Sequence, residues 1–417
     1  MSYTLFHDRP LRIAIVGAGP AGFYAAEELL KGAFEVRVDL FERLFAPYGL
    51  VRYGVAPDHP KTKLVTKRFN KVASDERVRF LGGIEIGTDL TVEQLRDAYD
   101  AVVFTTGAES GGKLNIPGES LPHCHHAVEF VGWYNGHPDY AARQFDLSGD
   151  TAVIIGNGNV AIDLARILAK PTEALAPTDI ARHALDALAA SKIKNIIVLG
   201  RRGPAQASFT QAELKELHDI AWMDPSELVL NELSQIELNE STLSKKIYDL
   251  FAGFPSQPPE GRSITFRWLR SPVEITSSSI RVVINELHGA SAAQKAVATE
   301  QTEDIPCGLV LKSIGYFGHA QAGLPFDERR GVIPNQDGRV EGCPGVYVAG
   351  WIKRGPSGLI GHNKMCAANT VASLIEDLPS LKPGTGDVLD VAKAISWSDW
   401  LKIAEQEATQ GYKQIHR

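Results

Sequence analysis

Residues 11–16 are apolar at every position but Arg12, and a glycine cluster follows at once. So short an apolar run, closed by a turn, predicts a strand buried on both faces. Residues 21–30 are built largely of Ala, Glu and Leu and predict a helix; residues 36–41 predict a second strand. Strand, glycine turn, helix and strand in that order make a βαβ unit. A further buried strand is expected at 101–104, ending in Thr105-Thr106-Gly107. A second unit opens near Leu114 and repeats the theme, with a strand at 152–155, a helix at 160–169 and a strand at 195–199. The intervening 171–190 has room for an inserted helix from Thr178. Residues 262–275 and 280–287 alternate like antiparallel strands, broken by Ser277-Ser278-Ser279. The Pro-rich stretch 256–261 reads as a surface loop. Short apolar strands return at 309–314 and 346–348, followed by a helix at 370–378.

The pattern therefore predicts an α/β fold with two Rossmann-like dinucleotide-binding domains, three-layer sandwiches with mainly parallel sheets. The first domain is discontinuous, residues 1–112 plus 316–383, and the second covers 113–315. Residues 384–417 form a tail that carries Trp397 and Trp400 on an expected helix.

The two glycine turns sharpen this picture. The first is Gly17-Ala18-Gly19-Pro20-Ala21-Gly22, and the second is Gly156-Asn157-Gly158-Asn159-Val160-Ala161. In such a turn the first glycine permits the tight bend and the second lets backbone approach a pyrophosphate. The third residue, Gly22 or Ala161, lets helix pack on strand. The helix N-terminus then offers N–H groups to the anion. The strand after the first turn ends in Glu42, which suits an adenosine ribose. The strand after the second ends in Gly200-Arg201-Arg202, whose forked donors suit a 2′-phosphate. NAD-type ligands also fit a turn of the first kind. Two segments favour FAD there: Thr105-Thr106-Gly107 follows a strand, as in flavoproteins with two dinucleotide-binding domains, which it resembles, and the glycines at 355, 358 and 361 let backbone approach a flat ring. The expected cofactors are thus FAD at the first site and NADP(H) at the second, with no metal.

Composition narrows the partners. A chain of 417 residues with net charge −7 gives no support to nucleic-acid or membrane binding. Its four cysteines (Cys124, Cys307, Cys343 and Cys366) form no Cys-x-x-Cys pair, which argues against a redox dithiol or a zinc ribbon. No apolar stretch is long enough to span a bilayer, and no signal core precedes the first strand, so a soluble, unprocessed, cytoplasmic protein is expected.

Four segments in order resemble the adrenodoxin reductase type of ferredoxin–NADP reductase. They are residues 48–60 (YGLVRYGVAPDHP), Asn157-Gly158-Asn159-Val160-Ala161-Ile162-Asp163, Gly200-Arg201-Arg202-Gly203-Pro204, and the run 350–360. The resemblance spans roughly residues 11–378. It implies a flavin site that uses Ala21, Glu42, Leu50, Ile86, Trp351, Gly358, Leu359 and Ile360. It also implies an NADP site of Asn157, Gly158, Asn159, Val160, Arg201, Arg202, Glu213 and Gly358, with His59 and Glu216 near the nicotinamide as candidate catalytic residues. Two positions depart from the family: His362 replaces a small hydroxyl residue, and Leu359 stands where valine is common.

The activity so implied is FAD-dependent NADPH:ferredoxin oxidoreduction, with hydride passing from NADPH to flavin N5. Single electrons then pass to a ferredoxin or similar iron–sulfur protein that feeds a cytochrome P450 or another reductive pathway. Such a partner is usually acidic, so a local basic patch is expected, with Lys245, Lys246, Arg262, Arg267 and Arg270 as candidates. The alternatives are a flavin reductase or diaphorase, a reductase subunit of glutamate-synthase type, and a nucleotide-binding sensor without turnover.

Overall fold

A computed structural model of the chain describes residues 9–224, 242–289, 294–389 and 391–410. The chain divides into two compact units. Unit 1 holds the residues up to Val55, His59–Ser110 and those from Tyr316 on; unit 2 holds Ala56–Asp58 and Gly111–Gly315.

In chain order, unit 1 begins with β1 (Leu11–Val16), α1 (Pro20–Leu30), β2 (Val36–Glu42), α2 (Leu50–Tyr53), α3 (Thr66–Ala73), β3 (Val78–Gly82) and β4 (Ala101–Phe104). Unit 2 follows with β5 (Cys124–His126), α4 (Ala127–Tyr134), β6 (Thr151–Ile155), α5 (Asn159–Ala169), α6 (Arg182–Ala189), β7 (Asn195–Leu199), α7 (Gln211–Lys215) and β8 (Ala221–Trp222). It ends with β9 (Ser263–Arg267), β10 (Arg270–Ile275), β11 (Ser279–His288), β12 (Lys295–Pro306) and β13 (Leu309–Lys312). Unit 1 resumes with β14 (Asn335–Gln336), β15 (Arg339–Val340), β16 (Val346–Val348), α8 (Trp351–Arg354), α9 (Ile360–Asp377) and α10 (Trp397–Gln410).

The unit 1 sheet runs β14-β15-β16-β4-β1-β2-β3 and is parallel from β16 to β3. Side chains alternate across it, as a pleated strand requires. Ile13 and Ile15 of β1 join Phe23 of α1 and Val371 and Leu374 of α9 on one face. Ala14 and Val16 join Leu95, Ile333 and Ile352 on the other. Because both faces are covered, β1 and β4 carry near-continuous apolar runs, and those runs made them readable.

The unit 2 sheet runs β5-β13-β6-β7-β9-β8. One face packs on helices: Ala152 and Ile154 share a cluster with Ile162 and Ala165 of α5 and Phe130 of α4. The other face packs on a separate antiparallel sheet, β10-β11-β12, through Val153 and Ile155 against Ile275, Ile280, Val282 and Ile305.

One expected element is corrected. Residues 262–275 are two strands in two sheets: β9 runs parallel to β7, whereas β10 runs antiparallel to β11. The chain turns at Leu269, whose φ of +55° lies in the left-handed region. The turn brings the Trp268 ring onto Gly200, where a Cβ would come within 2.5 Å of it. The inserted helix expected from Thr178 is observed as α6, starting at Arg182.

Candidate dinucleotide sites

In unit 1 the bend after β1 is glycine by necessity. Gly17 has φ +107°, and a Cβ there would lie 2.7 Å from the Thr105 carbonyl oxygen. The Thr105 hydroxyl donates to the carbonyls of Val16 (3.0 Å) and Gly17 (2.7 Å), tying the end of β4 to the turn. A Cβ on Gly22 would reach within 2.0 Å of the Gly17 carbonyl oxygen, so α1 packs directly on the turn. Gly19, the N-cap of α1, has nothing nearer to such a Cβ than the Gly49 Cα at 3.9 Å. The crowded glycines shape the bend, and the uncrowded one leaves room for an anion.

Other expected residues gather here. Glu42 ends β2 with its carboxylate accepting from the N–H groups of Ala18 (2.9 Å) and Leu44 (3.0 Å). Burial pushes its pKa up to about 7, against the pull of those two donors. Gly350 carries Trp351 to the first turn of α1, where a Cβ on Gly350 would meet the Ala21 Cβ at 2.6 Å. The Trp351 ring stands 5.8 Å from that of Tyr316, and its buried Nε1 has no hydrogen-bond partner among the described residues. Leu50 opens α2 directly after Gly49. Ile86 is buried two residues beyond Ile84, whose N–H donates to the Glu42 carbonyl at 2.9 Å. Gly358, Leu359 and Ile360 lead into α9, and Leu359 is 62% exposed. His362 Nδ1 accepts from the Leu359 N–H at 3.0 Å and caps that helix. His59, also in unit 1, precedes a short helical turn, and its carbonyl accepts from the Thr62 N–H.

In unit 2 the bend after β6 repeats the requirement: Gly156 has φ +118°, and a Cβ would lie 2.1 Å from the Ser313 carbonyl oxygen. Nothing lies within 4 Å of a Cβ on Gly158, the N-cap of α5. Residues 208–210 fold onto the turn, with the Ser208 N–H donating to the Asn157 carbonyl (3.0 Å) and the Thr210 N–H to Asn159 Oδ1 (2.9 Å). Val160 is partly buried against the apolar core. Arg201 and Arg202 follow β7 on a backbone fixed by Asn285, whose side-chain amide donates to the Arg201 carbonyl at 2.9 Å. Among the described residues neither guanidinium is engaged by an acidic partner.

Glu213 lies on α7 and Glu216 caps its end. Beneath them is a residue that the sequence did not single out. Arg166 of α5 is fully buried and donates to Asp58 (2.8 and 2.9 Å) and Asp163 (2.7 Å), with Glu213 and Glu216 at 3.8 and 3.5 Å. Lys170 also donates to Asp58, at 2.6 Å. Burial alone would raise the Asp58 carboxyl, but the hydrogen bonds and charges of Arg166 and Lys170 overcome it and hold the pKa well below the usual range. The i, i+3 spacing of Asp163 and Arg166 was the one local signal for this network.

Three of the expected basic-patch residues are already occupied. Arg262 donates to the carbonyls of Leu168, Leu188 and Ser191, and Arg267 and Arg270 both bond Glu303. Lys246 is exposed, and the Lys245 side chain lies outside the described residues. Burial pushes the thiols of Cys124 and Cys307 up to about 11, which keeps them protonated and unreactive near neutral pH.

Residues 11–196 match the family model described as pyridine nucleotide-disulphide oxidoreductase. The chain is 42% identical to a mitochondrial NADPH:adrenodoxin oxidoreductase of Arabidopsis thaliana, over 97% of this chain and 92% of that protein. It is 45% identical to the NADPH-ferredoxin reductase FprA of Mycobacterium tuberculosis, over 90% of this chain and 86% of that one. The structure of FprA in complex with NADPH superposes with a TM-score of 0.91 at 41% identity, covering 97% of this chain and 95% of that one.

Proposed function

We propose a function for a chain that belongs to the family of the NADPH:adrenodoxin and NADPH-ferredoxin reductases: it is an FAD-dependent oxidoreductase that moves electrons from NADPH to a ferredoxin-type iron–sulfur protein. The contrast between the two turns carries the reading. An acid, Glu42, follows the first, and two arginines that have no acidic partner among the described residues follow the second.

The residues of unit 1 suit FAD. Gly19 leaves room for a pyrophosphate at the N-terminus of α1, Glu42 can accept from ribose hydroxyls, and Trp351 brings an indole donor that is unused among the described residues. FAD, when bound, supplies the exchange between two-electron and one-electron chemistry. The chain's own part is to bind and orient it. Leu50, Ile86, Gly358, Leu359 and Ile360 would complete that wall. In unit 2, Gly158 and the α5 N-terminus would receive the NADPH pyrophosphate, flanked by Asn157, Asn159 and Val160. Arg201 and Arg202 would take the 2′-phosphate as paired charge-assisted forks. Glu213 and Glu216 lie 3.8 and 3.5 Å from the Arg166 guanidinium, whose charge attracts both. His59 and Glu216 would tune the nicotinamide step by orientation rather than obligatory proton transfer, so their loss should slow turnover and not abolish it.

Anaerobic mixing of the purified yellow protein with NADPH, ferredoxin and cytochrome c tests the whole scheme. The flavin absorbance should bleach and cytochrome c should be reduced. Bleaching without cytochrome reduction would support a diaphorase; no bleaching would support a nucleotide-binding sensor. We place the enzyme in the cytoplasm, a reading supported by its four free cysteines, with cell fractionation as the check. Among the described residues no helix is long and apolar enough to cross a membrane.

A further inference from the structure

The tail beyond residue 383 carries none of the dinucleotide-binding motifs, yet unit 1 uses it closely. Its backbone is fixed at Thr385, whose N–H donates to the Asp97 carbonyl at 2.8 Å, and again at Ile395, which exchanges hydrogen bonds with Gly82 at 2.8 and 2.9 Å. Helix α10 then lies against the 48–53 segment. Trp400 is 1% exposed and donates from Nε1 to the Tyr48 hydroxyl at 3.3 Å, while that hydroxyl donates to Asn70 Oδ1 of α3 at 2.7 Å. At the other end of the segment Arg52 donates to Glu407 at 2.6 Å, and its guanidinium lies 5.1 Å from the Trp400 ring and 5.3 Å from the Tyr53 ring. This pair is a charge-assisted bond with the arginine side chain only 13% exposed, well beyond a loose surface contact.

The segment so held touches the first dinucleotide turn. The Tyr48 N–H donates to the Ala18 carbonyl at 2.8 Å, and a Cβ on Gly49 would meet the Gly19 Cα at 3.0 Å. Tyr48 itself has φ +84°, a conformation that a bulky residue keeps only when its surroundings impose it. Trp400, Asn70 and the Ala18 carbonyl are those surroundings. A displacement of Arg52 or Tyr48 therefore passes through Gly49 to Gly19, the residue that leaves room for the pyrophosphate.

We propose that α10 is a cofactor-positioning element, in which Trp400 and Glu407 hold residues 48–53 against the first glycine turn and so set how tightly unit 1 retains FAD. The proposal rests on the reading of unit 1 as the flavin unit. Both act through the residues they bond, Tyr48 and Arg52.

The test measures the FAD dissociation constant of the full chain, by flavin released on dilution and filtration, for wild type, Glu407→Ala, Glu407→Gln and Trp400→Phe. Binding of 2′,5′-ADP serves as the unit 2 control. Glu407→Ala and Trp400→Phe should weaken FAD binding tenfold or more and shift the flavin absorption band, with 2′,5′-ADP binding unchanged. Glu407→Gln keeps a hydrogen-bond acceptor and should recover part of the affinity. Should Glu407→Ala fail to fold, Glu407→Gln and Trp400→Phe decide the matter. FAD affinity within twofold of wild type, even with a lower melting temperature, would overturn the proposal and leave α10 a packing element. A wild-type chain that holds no FAD would instead refute the reading beneath it.

Discussion

The two 11-residue helices that follow the glycine turns, α1 and α5, start from nearly the same motif and bury different things. Helix α1 buries only glycine and hydrophobic side chains, among them Phe23, Tyr24 and Leu29. Helix α5 buries Arg166, ringed by Asp58, Asp163, Glu213 and Glu216. Their third motif residues differ as well. Gly22 is forced by the Gly17 carbonyl, whereas Ala161 carries a fully buried methyl at the matching place. One nucleotide-binding motif thus tolerates either a glycine joint beside an apolar helix or an alanine joint beside a helix that buries a charge.

Removing the charge should break the comparison hardest. Arg166→Met takes the shared guanidinium away from Asp58 and Asp163 and leaves Asp58 with Lys170 as its cation, and we expect a loss of about 3–5 kcal/mol. Denaturant melts should show it, with FAD content at low denaturant little changed. Gly22→Ala is the matching insult to unit 1. It should cost about 1–3 kcal/mol by overpacking and empty the flavin site, read as the ratio of visible to ultraviolet absorbance. By contrast, Gly158→Ala should leave the melt unchanged and weaken only NADPH binding, because the space around it is open.

The two buried carboxylates sharpen the contrast through pH. The Glu42 pKa is raised in the folded state, so its contribution to stability is full below about 4.5 and lost as pH rises through about 7. Apoprotein melts should weaken by on the order of 2 kcal/mol over that window, and Glu42→Gln should flatten the curve. The Asp58 pKa is depressed, so its contribution is present above 3.8 and lost as pH falls further into acid. The smallest effect is expected at the phosphate site. Arg201→Ala or Arg202→Ala should raise KM for NADPH about tenfold, near 1.4 kcal/mol, and leave KM for NADH unchanged.

Much of this was legible because β1, β4, β6 and β7 are parallel strands covered on both faces, which forces continuous apolar runs. The acid after β2 and the arginines after β7 were legible because a dinucleotide fold fixes where a ribose lies. What escaped has the opposite character. Strand β12 is largely exposed and reads Lys-Ala-Val-Ala-Thr-Glu-Gln-Thr-Glu-Asp, with no apolar signature. The break at Leu269 depends on Gly200 meeting Trp268, a pairing of distant positions. Trp400 was visible as a helical tryptophan, but its partner, Tyr48, lies at the other end of the chain. Arg166 was not singled out because the Asp58 that demands its burial comes from a separate stretch.

That stretch also limits how modular the molecule can be. Ala56–Asp58 clusters with unit 2 although the residues on both sides of it belong to unit 1. A nucleotide-binding unit excised at Gly111 and Gly315 would leave behind the carboxylate that neutralises Arg166 and Lys170. Swapping such units between enzymes, in evolution or at the bench, therefore means carrying three residues from a distant part of the chain. The halves can be told apart by eye, but they are not separately inheritable pieces.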